Sequence, residues 1–172
     1  MDFRYKGKED VTNSVSLLIS ILIRHPEVAK INLDPERQVL RFTFIYSGRL
    51  DSSEMDLLKG KIVTSIEVYN TLEGKDPQVV QLDYKITDNL TMIEIQRDVD
   101  TLVQEEIALM VELFRHYINN KLVTEENDPL VDEDLLVQEE LIEHMLEIVK
   151  SKSEDKRLYA FRDEGRVLVF NK

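Results

Sequence analysis

Cysteine is absent from the 172 residues, which removes disulfides, thiolate metal sites and cysteine nucleophiles together. Glycine is nearly as scarce. Gly7, Gly48, Gly60, Gly74 and Gly165 stand too far apart to build a loop that cradles phosphate. Gly60-Lys61 lacks both the upstream glycine and the following Ser or Thr of a P-loop, and there is no Gly-x-Ser-x-Gly elbow. Long apolar runs are also missing. The longest, Val15 to Ile23, is broken by Ser16 and Ser20 and falls short of the ~20 residues that span a bilayer. Glu9 and Asp10 precede it, and Arg24, His25 and Pro26 follow without a small-x-small cleavage pattern. The run therefore reads as a buried helix, with no membrane association and a cytoplasmic location expected.

Apolar residues make up 42% of the chain and charged residues 33%, so a globular core is available. The net charge of −12 is unevenly placed. Between Asp98 and Glu147 there are 15 acids against Arg115 and Lys121, whereas the last 25 residues carry seven bases and four acids. Such acidity repels phosphate backbones, making nucleic acid a poor partner overall, and suits a protein partner with a basic surface.

Apolar spacing divides the chain into repeated units. A helix from about Glu9 to Arg24 is apolar around most of its circumference, leaving Asn13, Ser16, Ser20 and Arg24 as a narrow polar strip, and should pack on two sides. A hairpin follows, Ala29–Leu33 returning through Leu40–Tyr46, with Ile31 expected opposite Leu40. Asp51 with Glu54 resembles a capping box and opens a second helix to about Leu72, where Gly74 suits a stop. Val80–Ile86 then alternates cleanly. A turn at Asp88-Asn89 pairs Tyr84 with Ile93 and Leu82 with Ile95. A third helix is expected over Asp100–Lys121, and a fourth from Asp128-Pro129 or Asp132 to Lys150.

The last hairpin, Leu158–Phe161 and Val167–Phe170, is apolar at every position. A three-residue loop at Asp163-Glu164-Gly165 places Tyr159 and Phe161 opposite Val169 and Val167, with Phe170 and Leu168 on the other face. The fold class expected is α+β: an antiparallel sheet of three β-hairpins, in α-β-β repeats, with helices mainly on one face. Residues 1–123 would form the main domain, 124–134 an acidic linker, and 135–172 a C-terminal helix-hairpin unit.

Few residues suggest chemistry. His25 sits at a helix end, where it can meet terminal carbonyls. His116 follows Glu112 by four, with Glu105 on the same side; His144 follows Glu140 by four and precedes Glu147 by three. These spacings can share a metal, but neither paired Glu-x-x-His motifs nor His-Glu-x-x-His is present, so no metal or cofactor is expected. The carboxylates Glu125, Glu126, Asp128, Asp132, Glu133 and Asp134 lack the central glycine of a calcium loop. Arg157-Leu158-Tyr159-Ala160-Phe161 partly resembles the aromatic strand of RNA-recognition domains, although Leu158 replaces the glycine and Glu164 the last aromatic. Tyr159 and Phe161 are expected in the core.

The function expected is therefore a non-catalytic interaction, regulatory or adaptor protein, acting as a homodimer. Leu18, Leu22, Leu168 and Phe170 are its candidate interaction surface, since they exceed what one contacting layer would use. The alternatives are an enzyme drawing on scattered carboxylates of the acidic helices, and nucleic-acid binding through the basic last hairpin.

Overall fold

The computed structural model describes residues 3–6, 13–118, 122–124, 132–151 and 157–171. Strand β1 is Phe3–Lys6, followed by α1 (Asn13–Arg24), β2 (Lys30–Asp34), β3 (Val39–Ser47) and α2 (Ser52–Leu72). Then come β4 (Val80–Thr87), β5 (Leu90–Asp98), α3 (Gln104–Ile118), α4 (Asp132–Ser151), β6 (Leu158–Asp163) and β7 (Arg166–Asn171). The start expected at Asp128-Pro129 lies outside the described residues. The expected α+β class and its three hairpins are present. The strands form one sheet in the order β1-β7-β6-β2-β3-β5-β4, antiparallel throughout except for β1, which runs parallel to β7. The C-terminal hairpin is thus built into the same sheet as the rest, beside β2.

Local sequence explains most element ends. The Asp51 carboxylate accepts a 2.8 Å hydrogen bond from Glu54 N–H and caps α2, whose Met55, Leu58, Ile62 and Ile66 are buried. Helix α2 ends before Gly74, which takes φ +72°. The second hairpin has the expected register, Tyr84 opposite Ile93 and Leu82 opposite Ile95, with Asp88 at positive φ in the turn. In the first hairpin the register differs by two residues, with Ile31 opposite Phe42 and Leu33 opposite Leu40. Asp34 accepts from the N–H groups of Glu36 and Arg37, and Gln38 takes φ +53°, which makes Pro35–Gln38 the loop. A two-residue shift preserves the faces.

The last hairpin corrects the expectation by one residue. Glu164 and Gly165 both adopt positive φ, +50° and +78°, closing a two-residue turn between Asp163 and Arg166. Tyr159 consequently faces Phe170, Phe161 faces Leu168, and Ala160 faces Val169. A one-residue slip inverts every side chain. Leu158, Ala160, Val167 and Val169 enter the core, and all the aromatic rings of the hairpin move to the other face.

The core lies between one sheet face and the helices. Ile31, Leu33, Phe42, Phe44, Ile93 and Ile95 meet α1, α3 and α4, with the Phe44 and Phe114 rings stacked at 4.0 Å. Helix α1 is packed on two sides, by the sheet and by α4, as its nearly all-apolar surface implied. Leu18 and Leu22 are fully buried within the single chain. They offer no surface to a second copy, because α4 covers what looked like surplus.

One polar cluster crosses this core. The fully buried Arg97 guanidinium forks onto Glu106, with Nε to Oε2 at 2.5 Å and Nη2 to Oε1 at 2.7 Å. It also donates to Asp98, to the Thr101 hydroxyl at 2.9 Å and to the Val79 carbonyl at 3.1 Å. Asn70 Nδ2 donates to Glu106 at 2.8 Å and to the Ile66 carbonyl at 2.9 Å. Burial pushes the Asp98 carboxyl up, yet the Val79 N–H, the Thr101 hydroxyl and the Arg97 charge hold it below the ordinary carboxylate range. The cluster joins α2, β5 and α3 to Val79, the residue before β4. Arg97→Met should lower stability by about 3–5 kcal/mol in urea unfolding, because Glu106 is left buried and uncompensated. Arg97→Met combined with Glu106→Leu should recover most of that loss.

Candidate functional site

Among the described residues the sheet has helices on one side, and its other side carries a groove of about 700 Å³. Its floor is built by β6 and β7 with Tyr159, Phe161 and Phe170, by β2 with Lys30, by β3 with Thr43 and Ile45, and by β5 with Met92. Ala29 and Pro26 continue the lining past the start of β2. The chain after α3 adds Val123, whose N–H donates to the Ile45 carbonyl at 2.8 Å and holds that residue at the rim. The position of each ring follows from the two-residue turn at Glu164-Gly165. Tyr159 and Phe161 are therefore half-buried on the helix-free face, a correction to their expected place in the core. Phe161 and Phe170 stack with centroids 5.4 Å apart, and Lys30 Nζ lies 5.4 Å from the centre of the Tyr159 ring. Phe170 and Leu168 share this half-buried face, whereas Leu18 and Leu22 are in the core. The four candidate interaction residues thus split between two environments.

The charges along the groove are ordered. Among its described lining residues only Lys30 and Arg162 are ionisable with charge at neutral pH, and both are cations. Arg162 is anchored. It donates to the carbonyls of Val28 at 3.2 Å, His25 at 2.9 Å and Leu22, and so caps the C-terminus of α1. Arg41 and Arg157 both reach Asp34, at 3.4 and 3.3 Å.

The other candidates are dispersed. His116 and His144 are exposed on α3 and α4, and Glu112 pairs with Arg115 at 3.2 Å. Among the described residues no group of three or more His, Asp or Glu could hold a metal ion, and the carboxylates at 125–131 lie outside them. A second, shallower cleft of about 420 Å³ between α2, α3 and α4 is lined by Glu73, Glu105, Glu139, Glu140 and Glu143. There the Tyr69 hydroxyl is pushed up to about 12 by burial and by its hydrogen bond to Glu105. Among the described residues no helix is long and apolar enough to cross a membrane.

Compared with known proteins, the chain matches no family model, no curated protein and no solved structure, so its geometry carries the functional reading.

His25 is buried beneath the groove's end, with Nε2 3.5 Å from Gln104 Nε2. Burial first, then the Arg24 and Arg162 charges, lowers its pKa from 6.5 to about 3. The unfolded chain therefore takes up the proton before the folded one does. The stability contribution is complete above pH 6.5 and is lost as pH falls toward 3, at up to about 1.4 kcal/mol per pH unit. Melting temperature should fall between pH 7 and pH 5, and His25→Gln should flatten that fall.

Proposed function

We propose that this is a non-catalytic interaction protein that receives an apolar segment of a partner protein on the helix-free face of its sheet. The observation that carries the proposal is the half-buried set Tyr159, Phe161 and Phe170 around a groove of about 700 Å³. Folding leaves these rings partly wet, and covering apolar surface is worth about 25 cal/mol per Å² before association costs. A groove of this size lies within the range of ligand sites, about 300–1,000 Å³. Its 12 described lining residues fall short of the about 20–30 a side that a stable protein dimer uses. The homodimer expected from the sequence keeps only Leu168 and Phe170 as contact residues, and is the weaker reading. A cytoplasmic setting belongs to the same proposal.

Single-stranded nucleic acid is a second reading, favoured by the same rings, since bases stack on such platforms. Electrostatics weighs against it. Two of the nearby guanidiniums are paired with Asp34, a third is committed to carbonyls, and the chain carries −12 overall. Photo-crosslinking separates the two. With p-benzoylphenylalanine at position 161, irradiation in the native cell should give a protein adduct of discrete mass. The same group at position 112, on the helical side, should not. An adduct to nucleic acid, or none from position 161, would reject the proposal.

A further inference from the structure

The groove's charge runs against that of the protein. In a chain of net −12, its charged lining is cationic, Lys30 near the middle and Arg162 anchored at one end. Of the acids on the same face, Asp34 is paired with Arg41 and Arg157 and Asp163 with Arg166, and two more lie further along. Phe161, Lys30, Thr43, Glu94 and Asp83 form one cross-strand row, so the two carboxylates sit on β5 and β4, beyond Thr43 and outside the lining. The fifteen acids between Asp98 and Glu147 belong mainly to α3, α4 and the segment joining them, and the two helices pack on the opposite side of the sheet.

The floor also limits the backbone of an occupant. Over Lys30–Leu33 the central strand β2 is paired with β3 on one side and β6 on the other, β5 lies between β3 and β4, and the Ile45 carbonyl accepts from Val123 N–H, so the backbone groups at these floor positions are already paired. An extended peptide lying there would leave its own N–H and C=O groups without partners against an apolar floor. A helix satisfies those groups internally and presents only side chains.

We infer that the occupant is an acidic amphipathic helix of a partner protein, with its apolar stripe on Tyr159, Phe161 and Ile45 and a carboxylate at Lys30. This rests on the docking reading above and adds the partner's form and charge. Lys30 is the movable cation of the site, held over the Tyr159 ring, and a carboxylate there would gain a charge-assisted hydrogen bond at an apolar rim. The sequence's overall acidity pointed instead to a basic partner. Such a partner would meet the acidic helices, on the other side of the sheet.

The chain contains no tryptophan, so a tryptophan in a peptide reports binding without background. Three helical peptides with the same Leu and Trp stripe would be titrated, differing only in carrying Glu, Gln or Lys beside that stripe. The Glu peptide should bind about tenfold more tightly than the Lys peptide. Lys30→Gln should remove the preference and Lys30→Glu should reverse it, with urea midpoints close to the parent's confirming that both variants fold. Equal affinities, tighter binding of the Lys peptide, or a preference unchanged by Lys30→Glu would overturn the charge assignment while leaving apolar docking in place. Binding of none of the three would overturn the docking reading as well. Light scattering addresses the remaining occupant. A mass near twice 20.1 kDa that Lys30→Glu abolishes would seat a second copy in the groove and overturn the assignment to a foreign helix.

Discussion

The pairing of Tyr159 with Phe170 decides what this protein can present to a partner. The facing segments Leu158–Phe161 and Val167–Phe170 of the last hairpin are apolar at every position, so the hairpin is bound to bury one set of side chains and display the other. The left-handed pair Glu164-Gly165 makes the choice. With that turn the small and branched residues, Ala160, Val167 and Val169, go under α1 and α4, and the rings go outward. A three-residue loop would have placed rings on the helix side, in the layer that Leu158, Ala160, Val167 and Val169 now fill beneath α1. The identity of the turn and the space beneath α1 agree, which is how a register becomes unique.

The two halves of the sheet are secured differently. Around β2, β6 and β7 the core is apolar apart from the buried Ser14, Ser20 and His25, and is closed by α1, on which α4 packs. At the β4–β5 end, the Arg97–Glu106 pair fills the layer and ties two helices to β5 and to the residue before β4. A buried ion pair adds little net stability compared with well-packed apolar residues, but it tolerates only one arrangement of its partners. Here that arrangement links Asn70 of α2 and Glu106 of α3 to Arg97 of β5. The apolar half accommodates the groove on its far side. On the polar half the same face carries Gln81, Asp83, Glu94 and Gln96.

Much of this was legible in the chain. The capping carboxylate of Asp51, the stripe of α2 and the clean alternation of Val80–Ile86 define their elements and register without tertiary help. The last hairpin was not legible to the same degree, because a period of two carries no register when both faces are apolar. Leu18 and Leu22 were misassigned for a related reason: an apolar surplus on a helix does not say whether the cover comes from the same chain. The parallel strand β1 was missed altogether. Four residues are too few to show a period, and its partner β7 lies at the other end of the sequence. Nor could the composition show that the groove is cationic, since net charge averages over both sides of the sheet. Lys30 and Arg162 come together only through the pairing of β2 with β6.

That same pairing has a consequence for biosynthesis. Strand β2 is flanked by β3 on one side and by β6 on the other, so one side of a central strand waits for residues near the end of the chain. At ordinary translation speeds the interval between completing β3 and finishing β6 is on the order of ten seconds. Throughout it, β2 is an open edge carrying Ile31 and Leu33, next to a helix whose apolar surface is not yet covered by α4. The nascent chain is thus most prone to association between completion of β3 and the arrival of β6, which ends that exposure.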